Sequence, residues 1–517
     1  MSDFTPSIYQ EAIFNWIVSG RGDAVINAVA GSGKTTTLCE GVRRITSQSI
    51  LVVSFNKHIA DELGQRLRNT PAVCRTLHSM GNQIVAAHLG KLQVVEHKSR
   101  ELSKRMIDGR FFNKKSAQRT EYARALEHLA HFARLTLTEV DEDNLDEVWE
   151  LVGRFDIENV TDDIVDLLPQ LLEHIEDEAQ INHIIDYDDM LWLPNKWELS
   201  GSKFQWVLID EAQDLNRAQR ELTFKLRGDG GRMIFVGDPY QSIYGFAGAD
   251  TQSFAEIAKA LKPTQLPLSV CYRCPASHIT LAQELVPHIE PRSDAPEGRV
   301  IDIYDDALTN EVKEGDLILC RKNAPLIRLC IKLIGLQIPA RMRGRDIGKE
   351  LANLAFKIAN RDPLFIYKNF GKAVESYRQE QMIKLESREN TERQQESLQD
   401  KCAALMACFD GFNAKSIEDL AAKIEGLFSD YKPSITLSTI HRAKGLESNR
   451  VLILEPQNLP MKWKNQSDEE KQQEQNIKYV ALTRAKSDLI FVYPAQNKNP
   501  DPGLNLNELL TGGGDPI

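Results

Sequence analysis

Short apolar runs recur along the chain, and polar or glycine-containing segments bound each of them. Runs of about four to eight residues are typical of buried strands in a parallel sheet, whereas a globular helix needs roughly ten or more. The runs that predict strands are Val25–Asn27, Trp206–Ile209, Leu317–Cys320, Ile435–Ser438, Val451–Leu454 and Leu489–Tyr493. The pattern therefore predicts α/β structure in both halves of the chain.

Two stretches carry helical patterns instead. Residues Glu121–Leu135 repeat apolar positions with helical periodicity, and residues 371–401 are rich in Lys, Glu, Gln and Arg, which predicts an exposed helix or helical hairpin. A run of about 18 apolar residues, as a membrane span requires, is not found. The N-terminus also lacks a basic region followed by an apolar run. We therefore expect no membrane partner and a cytoplasmic protein of a bacterial or phage-infected cell.

Length and charge refine this picture. A chain of 517 residues predicts several domains. The net charge of −11 argues weakly against nucleic-acid binding, but the charge is segregated. Residues 91–135 hold 11 Lys and Arg against 5 Asp and Glu, whereas residues 136–189 hold 1 Arg against 19 acidic residues. We expect the acidic stretch to be a solvated face. Eight scattered cysteines, of which only Cys271 and Cys274 are spaced C-x-x-C, predict reduced buried thiols.

A phosphate-binding loop follows the first predicted strand. The segment Ala28–Thr35 reads AVAGSGKT, with small residues that let backbone N–H groups approach phosphate oxygens at the start of a helix. Lys34 would reach the β- and γ-phosphates, and the Thr35 hydroxyl would bind Mg²⁺. The generic motif has glycine where this chain has Ala28, so the motif is not met in full.

The acidic partner of that loop follows a second apolar strand. Trp206–Ile209 leads directly into Asp210-Glu211-Ala212-Gln213-Asp214. Asp210 can hold Mg²⁺, and Glu211 can orient and deprotonate the attacking water. Together the two segments predict a nucleoside triphosphatase.

Further motifs stand in a fixed order along the chain. Together they resemble the UvrD/Rep/PcrA group of superfamily 1 DNA helicases, nearest in detail to F-box DNA helicase-like and phage or bacterial UvrD-like members. The segments that carry the resemblance are Gln10, Ala28–Thr35, Thr76–Ser79, Asp210–Asp214, Val236–Ala249, Tyr272–Arg273, Thr439–Glu447 and Tyr479–Ala485. Any one of them is weak or moderate evidence, whereas the ordered set is very specific.

The resemblance implies an α/β fold with two RecA-like parallel-sheet P-loop NTPase domains, each with a mainly helical insertion. We expect the first core at residues 1–90 and 187–265, with its insertion at 91–186. The second core would take residues 266–350 and 433–517, with a small helical insertion at 351–432. That second insertion is short for the group.

The cofactors that the resemblance implies are ATP and Mg²⁺, bound between the two cores. The residues expected at ATP are Gln10, Ala30, Gly31, Ser32, Gly33, Lys34, Thr35, Thr36, Tyr272 and Glu447, with Thr35 and Asp210 at Mg²⁺. Gln10 would read adenine, Tyr272 would stack on it, and Glu447 would bond the ribose. Thr36 stands where the group usually has an Arg beside adenine.

The catalytic residues expected from the resemblance are Glu211, Gln241, Arg273 and Arg484. Gln241 would sense the γ-phosphate, while Arg273 and Arg484 would come from the second core and neutralise transition-state charge. Cys271 stands before Tyr272 where the group commonly has Asn.

The residues expected to contact DNA are Thr76, His78, Tyr244, Phe246 and His441. The aromatic pair would stack on bases, a contact that tolerates any sequence. Phe246 replaces the Trp that is common in the group. Single-stranded DNA and tailed duplex DNA are the expected partners, besides a protein partner in a repair, recombination, phage or defence complex.

The function implied is that of an ATP-dependent 3′→5′ DNA translocase and helicase. The 5′→3′ branch of the superfamily is disfavoured, because this chain reads GDPYQSIYGF where that branch has GDxxQLPP. Two further hypotheses stay open: a motor subunit of a larger helicase–nuclease or phage-defence complex, and a DNA-binding protein built on an inactive motor fold. The intact Lys34, Glu211 and Arg484 argue against the last.

Overall fold

The computed structural model describes residues 4–141, 145–245, 248, 252–387, 391–428 and 435–495. The chain forms two compact units, Met1–Ser269 and Val270–Ile517. The predicted boundary lies slightly earlier, between residues 265 and 266. The difference arises because the strand at Thr264–Leu268 pairs with Ala24–Ala28 and so completes the sheet of the first unit.

The first unit alternates strands and helices along the chain. Its elements are α1 (Ile8–Ser19), β1 (Ala24–Ala28), α2 (Lys34–Val42), β2 (Ile50–Ser54), α3 (Lys57–Arg66), β3 (Ala72–Thr76), α4 (Leu77–Leu89), β4 (Gln93–Val94), α5 (Lys98–Arg110), α6 (Ser116–Thr136), α7 (Leu145–Phe155), α8 (Asp162–Val165), α9 (Leu168–Asn182), β5 (Ile184–Ile185), α10 (Tyr187–Lys196), β6 (Phe204–Ile209), α11 (Arg217–Lys225), β7 (Arg227–Gly237), α12 (Ser253–Leu261) and β8 (Thr264–Leu268). Short 3₁₀ turns lie at Ala212–Asp214 and Pro239–Gln241.

The main sheet of this unit has the strand order β3-β2-β6-β7-β1-β8, and neighbouring strands run parallel. Successive side chains of a strand point to opposite faces, so both faces must be apolar if helices cover both. Val25 and Leu51 pack into the core on one face, while Ile26 and Val52 pack into the core on the other. The carboxyl ends of the parallel strands meet at one edge, where the candidate site lies.

Helices α5 to α9 build a core of their own. Leu126 and Leu129 of α6 pack with apolar residues of α7, α8 and α9, and Met190 and Leu193 of α10 also join this cluster. Leu191, between them, faces the core beside the sheet. Helix α10 is therefore shared by the inserted helices and the sheet. The helix predicted at Glu121–Leu135 is confirmed as part of α6.

The second unit contains a second parallel sheet. Its elements are β9 (Val270–Cys271), α13 (Ala276–Gln283), β10 (Glu290–Pro291), β11 (Arg299–Tyr304), α14 (Leu308–Glu311), β12 (Leu317–Cys320), α15 (Asn323–Gly335), β13 (Ala340–Met342), α16 (Arg345–Ala359), α17 (Phe370–Glu386), α18 (Glu392–Gly411), α19 (Ile417–Leu427), β14 (Ile435–Thr439), β15 (Ser448–Leu454), α20 (Asp468–Leu482) and β16 (Ala485–Tyr493). Short 3₁₀ turns lie at Tyr367–Asn369, His441–Ala443 and Pro456–Asn458. The strand order is β11-β16-β15-β12-β14-β13, with parallel neighbours.

The helices of the second insertion share one core with this sheet. Ile318 and Leu437 of the sheet lie in the same buried cluster as Phe370 of α17 and Leu405 of α18. Asp400 of α18 accepts the first backbone N–H groups of α15, from Asn323 at 2.9 Å and from Ala324 at 3.0 Å. An acidic residue at a helix start is favourable. The insertion therefore packs against the sheet through apolar contacts, and its residue Asp400 caps the start of α15.

The strands predicted from apolar runs are confirmed in both units. The charged stretch 371–401 contributes nearly all of α17 and the first half of α18, and these two helices pack against each other. Every one of the eight cysteines is buried and carries a free thiol. Within the ranges given above, every helix is too short or too polar to cross a bilayer.

Candidate functional site

The loop between β1 and α2 has a backbone that favours glycine. Gly31 and Gly33 have φ of 67° and 78°, values that residues with a Cβ rarely adopt. The loop starts with a hydrogen bond from Val29 N–H to the Leu268 carbonyl of β8, at 3.1 Å. The N-cap residue of α2, Gly33, makes no side-chain capping hydrogen bond. The backbone N–H groups of the first turn of α2 are therefore available to bind an anion such as a phosphate.

A buried polar atom of the loop fits the same ligand. The Ser32 hydroxyl is buried, and no hydrogen-bond partner for it is found among the residues described. Buried polar groups normally have a partner, and a phosphate oxygen would supply one. Ala30 is buried, Thr35 is half-buried and Thr36 is exposed beside it. The loop therefore fits the phosphates of a nucleotide.

Carboxylates from two neighbouring strands face the loop lysine. Lys34 Nζ lies 3.1 Å from Glu211 Oε2, which follows the end of β6. Burial lowers the pKa of the Lys34 ammonium, but Glu211, then Asp238 after β7 and Asp210, raise it above its ordinary value of 10.5. Burial, together with the charge of Glu211, raises the pKa of Asp210 to about 7. The site is short of positive charge, which suits a bound cation.

The residues present fit Mg²⁺ only as part of a mixed set of ligands. Among the residues described, no group of three or more His, Cys, Asp or Glu side chains could hold a metal ion by itself. Asp210 and the Thr35 hydroxyl would hold the ion together with nucleotide oxygens, as expected for a cation that usually keeps several water and phosphate ligands.

A continuous hydrogen-bond path leaves Glu211 along the sheet edge. Gln213 Nε2 donates to Glu211 Oε2 at 2.6 Å, and Gln213 Oε1 accepts from Asp238 N–H at 3.0 Å. Gln241 Nε2 then donates to Asp238 Oδ2 at 2.7 Å. Asp238 is fully buried, and burial raises its pKa to about 6. The structure thus connects the predicted catalytic residues Glu211 and Gln241.

Gln213 and Asp238 are site residues that the sequence prediction does not include. Both stand inside motifs that the sequence shows, DEAQD and GDPYQ. Their position within those motifs is the signal that could have found them. Their role as links only becomes visible once β6 and β7 are seen to be neighbours.

Gln10, expected at adenine, lies beside the phosphate loop. Its Nε2 donates to Thr37 Oγ1 at 2.9 Å, and its Oε1 accepts from Ser7 N–H at 2.9 Å as part of a capping box on α1. A Cβ placed on Gly33 would lie 3.8 Å from Gln10 Nε2. The two bonds fix the orientation of the carboxamide next to α2.

Two of the residues expected at DNA lie at the carboxyl edge of the same sheet. The Thr76 hydroxyl, at the end of β3, accepts from Ser79 N–H at 3.2 Å and caps α4. His78 is half-buried, and burial lowers its pKa. The His78 and Tyr187 rings pack edge to face with their centroids 6.3 Å apart, and Tyr187 is 52% exposed. Phe55, just after β2, is a further exposed aromatic residue of this edge.

The loop after Gln241 is described only in part. Tyr244 is half-buried. Phe246 lies outside the described residues. Gly248 has φ of 90° and is buried against Leu135 and Phe132 of α6. The loop therefore passes next to the inserted helices.

The second unit holds the remaining predicted residues of the nucleotide site. Arg273 Nε donates to Glu447 Oε2 at 2.7 Å, and Arg273 Nη1 donates to the Thr483 carbonyl at 3.2 Å. Glu447 also pairs with Lys486. Tyr272, next to Arg273, is partly exposed. The structure brings Tyr272, Arg273 and Glu447 together.

Arg484 is buried by contrast. Its Nε donates to the Val480 carbonyl at 2.9 Å, Nη1 to the Leu446 carbonyl at 3.3 Å, and Nη2 to Thr483 Oγ1 at 3.1 Å. All three acceptors belong to the second unit. Thr483 therefore receives hydrogen bonds from both predicted arginine fingers, from Arg273 at its carbonyl and from Arg484 at its hydroxyl.

His441 lies in the 3₁₀ turn after β14. Desolvation, and after it the positive charge of Arg321 and Arg393, lowers the pKa of His441 well below its ordinary value. A neutral imidazole can donate or accept one hydrogen bond but cannot pair with a phosphate as a cation does. Any contact of His441 with a nucleic acid would thus be a neutral one.

The sheet order, the loop and the Lys34–Glu211 pair define the first unit as a P-loop nucleotide-binding domain of the RecA-like type. Residues 10–262 match the family described as UvrD/REP helicase N-terminal domain. This match covers slightly less than half of the chain, which is similar to proteins of the UvrD/Rep/PcrA group of superfamily 1.

Three curated relatives illustrate the similarity. DNA helicase II of Haemophilus influenzae is 24% identical over 333 residues, covering 58% of this chain and 44% of the relative. ATP-dependent DNA helicase Rep of Buchnera aphidicola is 25% identical over 268 residues, covering 46% and 38%. ATP-dependent DNA helicase PcrA of Bacillus subtilis is 26% identical over 270 residues, covering 46% and 34%. The chain thus spans less than half the length of these relatives.

Proposed function

We propose that this chain is an ATP-driven translocase that moves 3′→5′ on single-stranded DNA and unwinds tailed duplexes or displaces bound proteins. One observation carries the proposal. Lys34 of the phosphate loop is paired with Glu211 at 3.1 Å, next to Asp210, which directly follows the apolar strand β6. This pairing places a phosphate-binding cation and a candidate general base in direct contact.

The pair has a chemical consequence when a nucleotide enters. Lys34 would move its charge from Glu211 to the phosphates, and Glu211 would be free to accept a proton from water. Gln213 holds the Glu211 carboxylate at 2.6 Å and so keeps it oriented after Lys34 leaves. When bound, Mg²⁺ would neutralise phosphate charge, with Asp210 and Thr35 as its protein ligands.

The path from Glu211 to Gln241 supports coupling to DNA. Gln241 is bonded to buried Asp238, and Tyr244 follows three residues later on the same segment. A shift at the phosphate end would therefore move a segment that carries an aromatic side chain. We propose that Tyr244 and Phe246 stack on bases, and that Thr76, His78 and His441 contact the strand.

We propose that the second unit supplies Arg273 and Arg484 to the phosphates, Tyr272 to the adenine and Glu447 to the ribose. The contact of Arg273 with Glu447 supports a shared site for base, sugar and phosphate. The convergence of Arg273 and Arg484 on Thr483 supports a joint role for the two guanidinium groups. Arginine groups that neutralise transition-state charge are worth roughly 10³–10⁵ in rate.

The test is unwinding of duplexes that carry a single-stranded tail at only one end. The wild type should open 3′-tailed duplexes in the presence of ATP and leave 5′-tailed and blunt duplexes closed. Lys34→Ala serves as the control that lacks turnover. Opening from 5′ tails alone would overturn the direction, and ATP hydrolysis that DNA never stimulates would overturn the motor itself.

A further inference from the structure

A buried cluster of charged side chains and one serine lies where the inserted helices meet α10. Its members are Lys98 and Ser99 of α5, Arg134 of α6, Asp186 immediately before α10, and Asp188 and Asp189 of α10. Arg134 is 1% exposed and Asp189 is fully buried. Buried ion clusters contribute little net stability compared with apolar packing, because desolvation offsets the attraction. The nucleotide chemistry proposed above does not use this cluster.

Arg134 bonds every carboxylate at the start of α10. Its Nη1 donates to Asp186 Oδ1 at 2.9 Å and to Asp189 Oδ1 at 2.8 Å, and its Nη2 donates to Asp188 Oδ2 at 2.8 Å. Asp186 and Asp189 also form the capping box that begins the helix. The guanidinium therefore fixes the residues on both sides of Tyr187.

Lys98 anchors the same turn to the inserted helices. Its Nζ pairs with Asp189 and donates to the Ile175 carbonyl at 2.9 Å and to the Ile184 carbonyl at 3.3 Å. Ile175 belongs to α9 and Ile184 to β5. The Lys98 ammonium thus connects the first turn of α10 to α5, α9 and β5.

The residue so held is Tyr187, the first residue of α10. It is half exposed, and its ring meets His78 of α4 edge to face at 6.3 Å. The Tyr187 side chain is therefore still accessible to a ligand, while the backbone on both sides of it has little conformational freedom. Such a side chain is prepared to stack on a base, because less ordering is left to occur on binding.

We propose that Arg134 is a positioning residue that presents Tyr187, with His78 beside it, to single-stranded nucleic acid. The inference rests on the proposed function and adds to it a determinant that lies outside the helicase motifs. Its competitor is a purely structural role, in which Arg134 only stabilises the fold and loss of Arg134 leaves the affinity of the folded protein for nucleic acid unchanged.

A double-mutant cycle separates the two roles. The affinity of the full chain for a fluorescent oligothymidylate is measured by anisotropy for wild type, Arg134→Met, Tyr187→Ala and the double variant, at one salt concentration. If Arg134 acts through Tyr187, each single change should weaken binding at least about five-fold. The double variant should then bind no more weakly than Tyr187→Ala alone, because coupled residues are not additive.

Two further variants test whether a loss of affinity comes from misfolding. Arg134→Lys keeps the buried charge, but one ammonium cannot reproduce the planar fork that spans three carboxylates, so affinity should still fall. Arg227→Met breaks the ion pair of Arg227 with Asp23 (2.7 Å) in the same unit, at a distance from α10 in the sequence. That control should lower the melting temperature and leave affinity unchanged. Hydrolysis of ATP at saturating DNA should be preserved in the folded Arg134 variants.

The outcomes distinguish this inference from the function on which it rests. Additive effects in the cycle, or wild-type affinity in a folded Arg134→Lys and Arg134→Met, would overturn the positioning role alone. A wild type that does not bind oligothymidylate would overturn the proposed function and this inference with it.

Discussion

Gln213→Met should uncouple ATP hydrolysis from DNA. Gln213 is buried and links Glu211, at 2.6 Å, to Asp238, at 3.0 Å. Methionine has a similar volume and can form neither bond, so the change removes the link without opening a large cavity. A hydrogen bond to a charged group contributes about 1.5–3 kcal/mol.

Only the part of that energy that differs between the DNA-free and DNA-bound states affects stimulation. If about half of the hydrogen-bond energy differs between the two states, the variant loses roughly 0.8–1.5 kcal/mol of stimulation. That loss corresponds to a factor of about 4 to 12 in rate. We therefore expect the ratio of DNA-stimulated to basal hydrolysis to fall by about that factor. The basal rate should change less than the stimulated one.

The assay is steady-state ATP hydrolysis with and without saturating oligothymidylate on one preparation. Gln219→Met is the matched control, since Gln219 is also buried and accepts from Asn216 N–H at 3.1 Å in the capping box of α11. It should keep the wild-type ratio. An unchanged ratio in a folded Gln213→Met, or an equal fall in both variants, would refute the role of the path.

The remaining predictions concern single residues of the two units. Lys34→Ala should abolish ATP turnover and leave binding of single-stranded DNA largely intact, as measured by hydrolysis and anisotropy; turnover at the wild-type rate would contradict the phosphate-loop assignment. Arg484→Ala should lower kcat by roughly 10³ or more with little change in the KM for ATP, and a melting curve should accompany it because the residue is buried; a raised KM with normal kcat would instead indicate ground-state binding. Because the folded pKa of His441 lies well below its ordinary 6.5, the unfolded chain binds more protons below that pH. Stability should thus be full above pH about 6.5 and fall as pH decreases, and melting at pH about 7.5 and about 5.5 should show a smaller loss for His441→Gln; an equal loss would assign the pH dependence to other groups.

The sequence by itself determined the class of fold and predicted the phosphate loop with its acidic partner. Local patterns suffice for these, because a buried parallel strand must be apolar on both faces and a phosphate loop must have small residues followed by Lys and a hydroxyl. The strands at Leu317–Cys320 and Ile435–Thr439 were accessible in this way, and so were Lys34 and Glu211 as separate candidates. The ion pair between Lys34 and Glu211 is seen only in the structure.

Tertiary structure alone decided which distant segments cooperate. Gln213 and Asp238 form a path only because β6 and β7 are adjacent, which no local pattern specifies. Arg134 contacts the start of α10, which is more than 50 residues away in the sequence. The start of α10 belongs to the acidic stretch 136–189, which composition predicts to be a solvated face. Three of its acidic residues, Asp186, Asp188 and Asp189, instead pair with that arginine, two of them fully buried or nearly so. Charge composition counts residues without regard to their neighbours, whereas the free energy of a buried carboxylate depends on the cation that the fold places beside it.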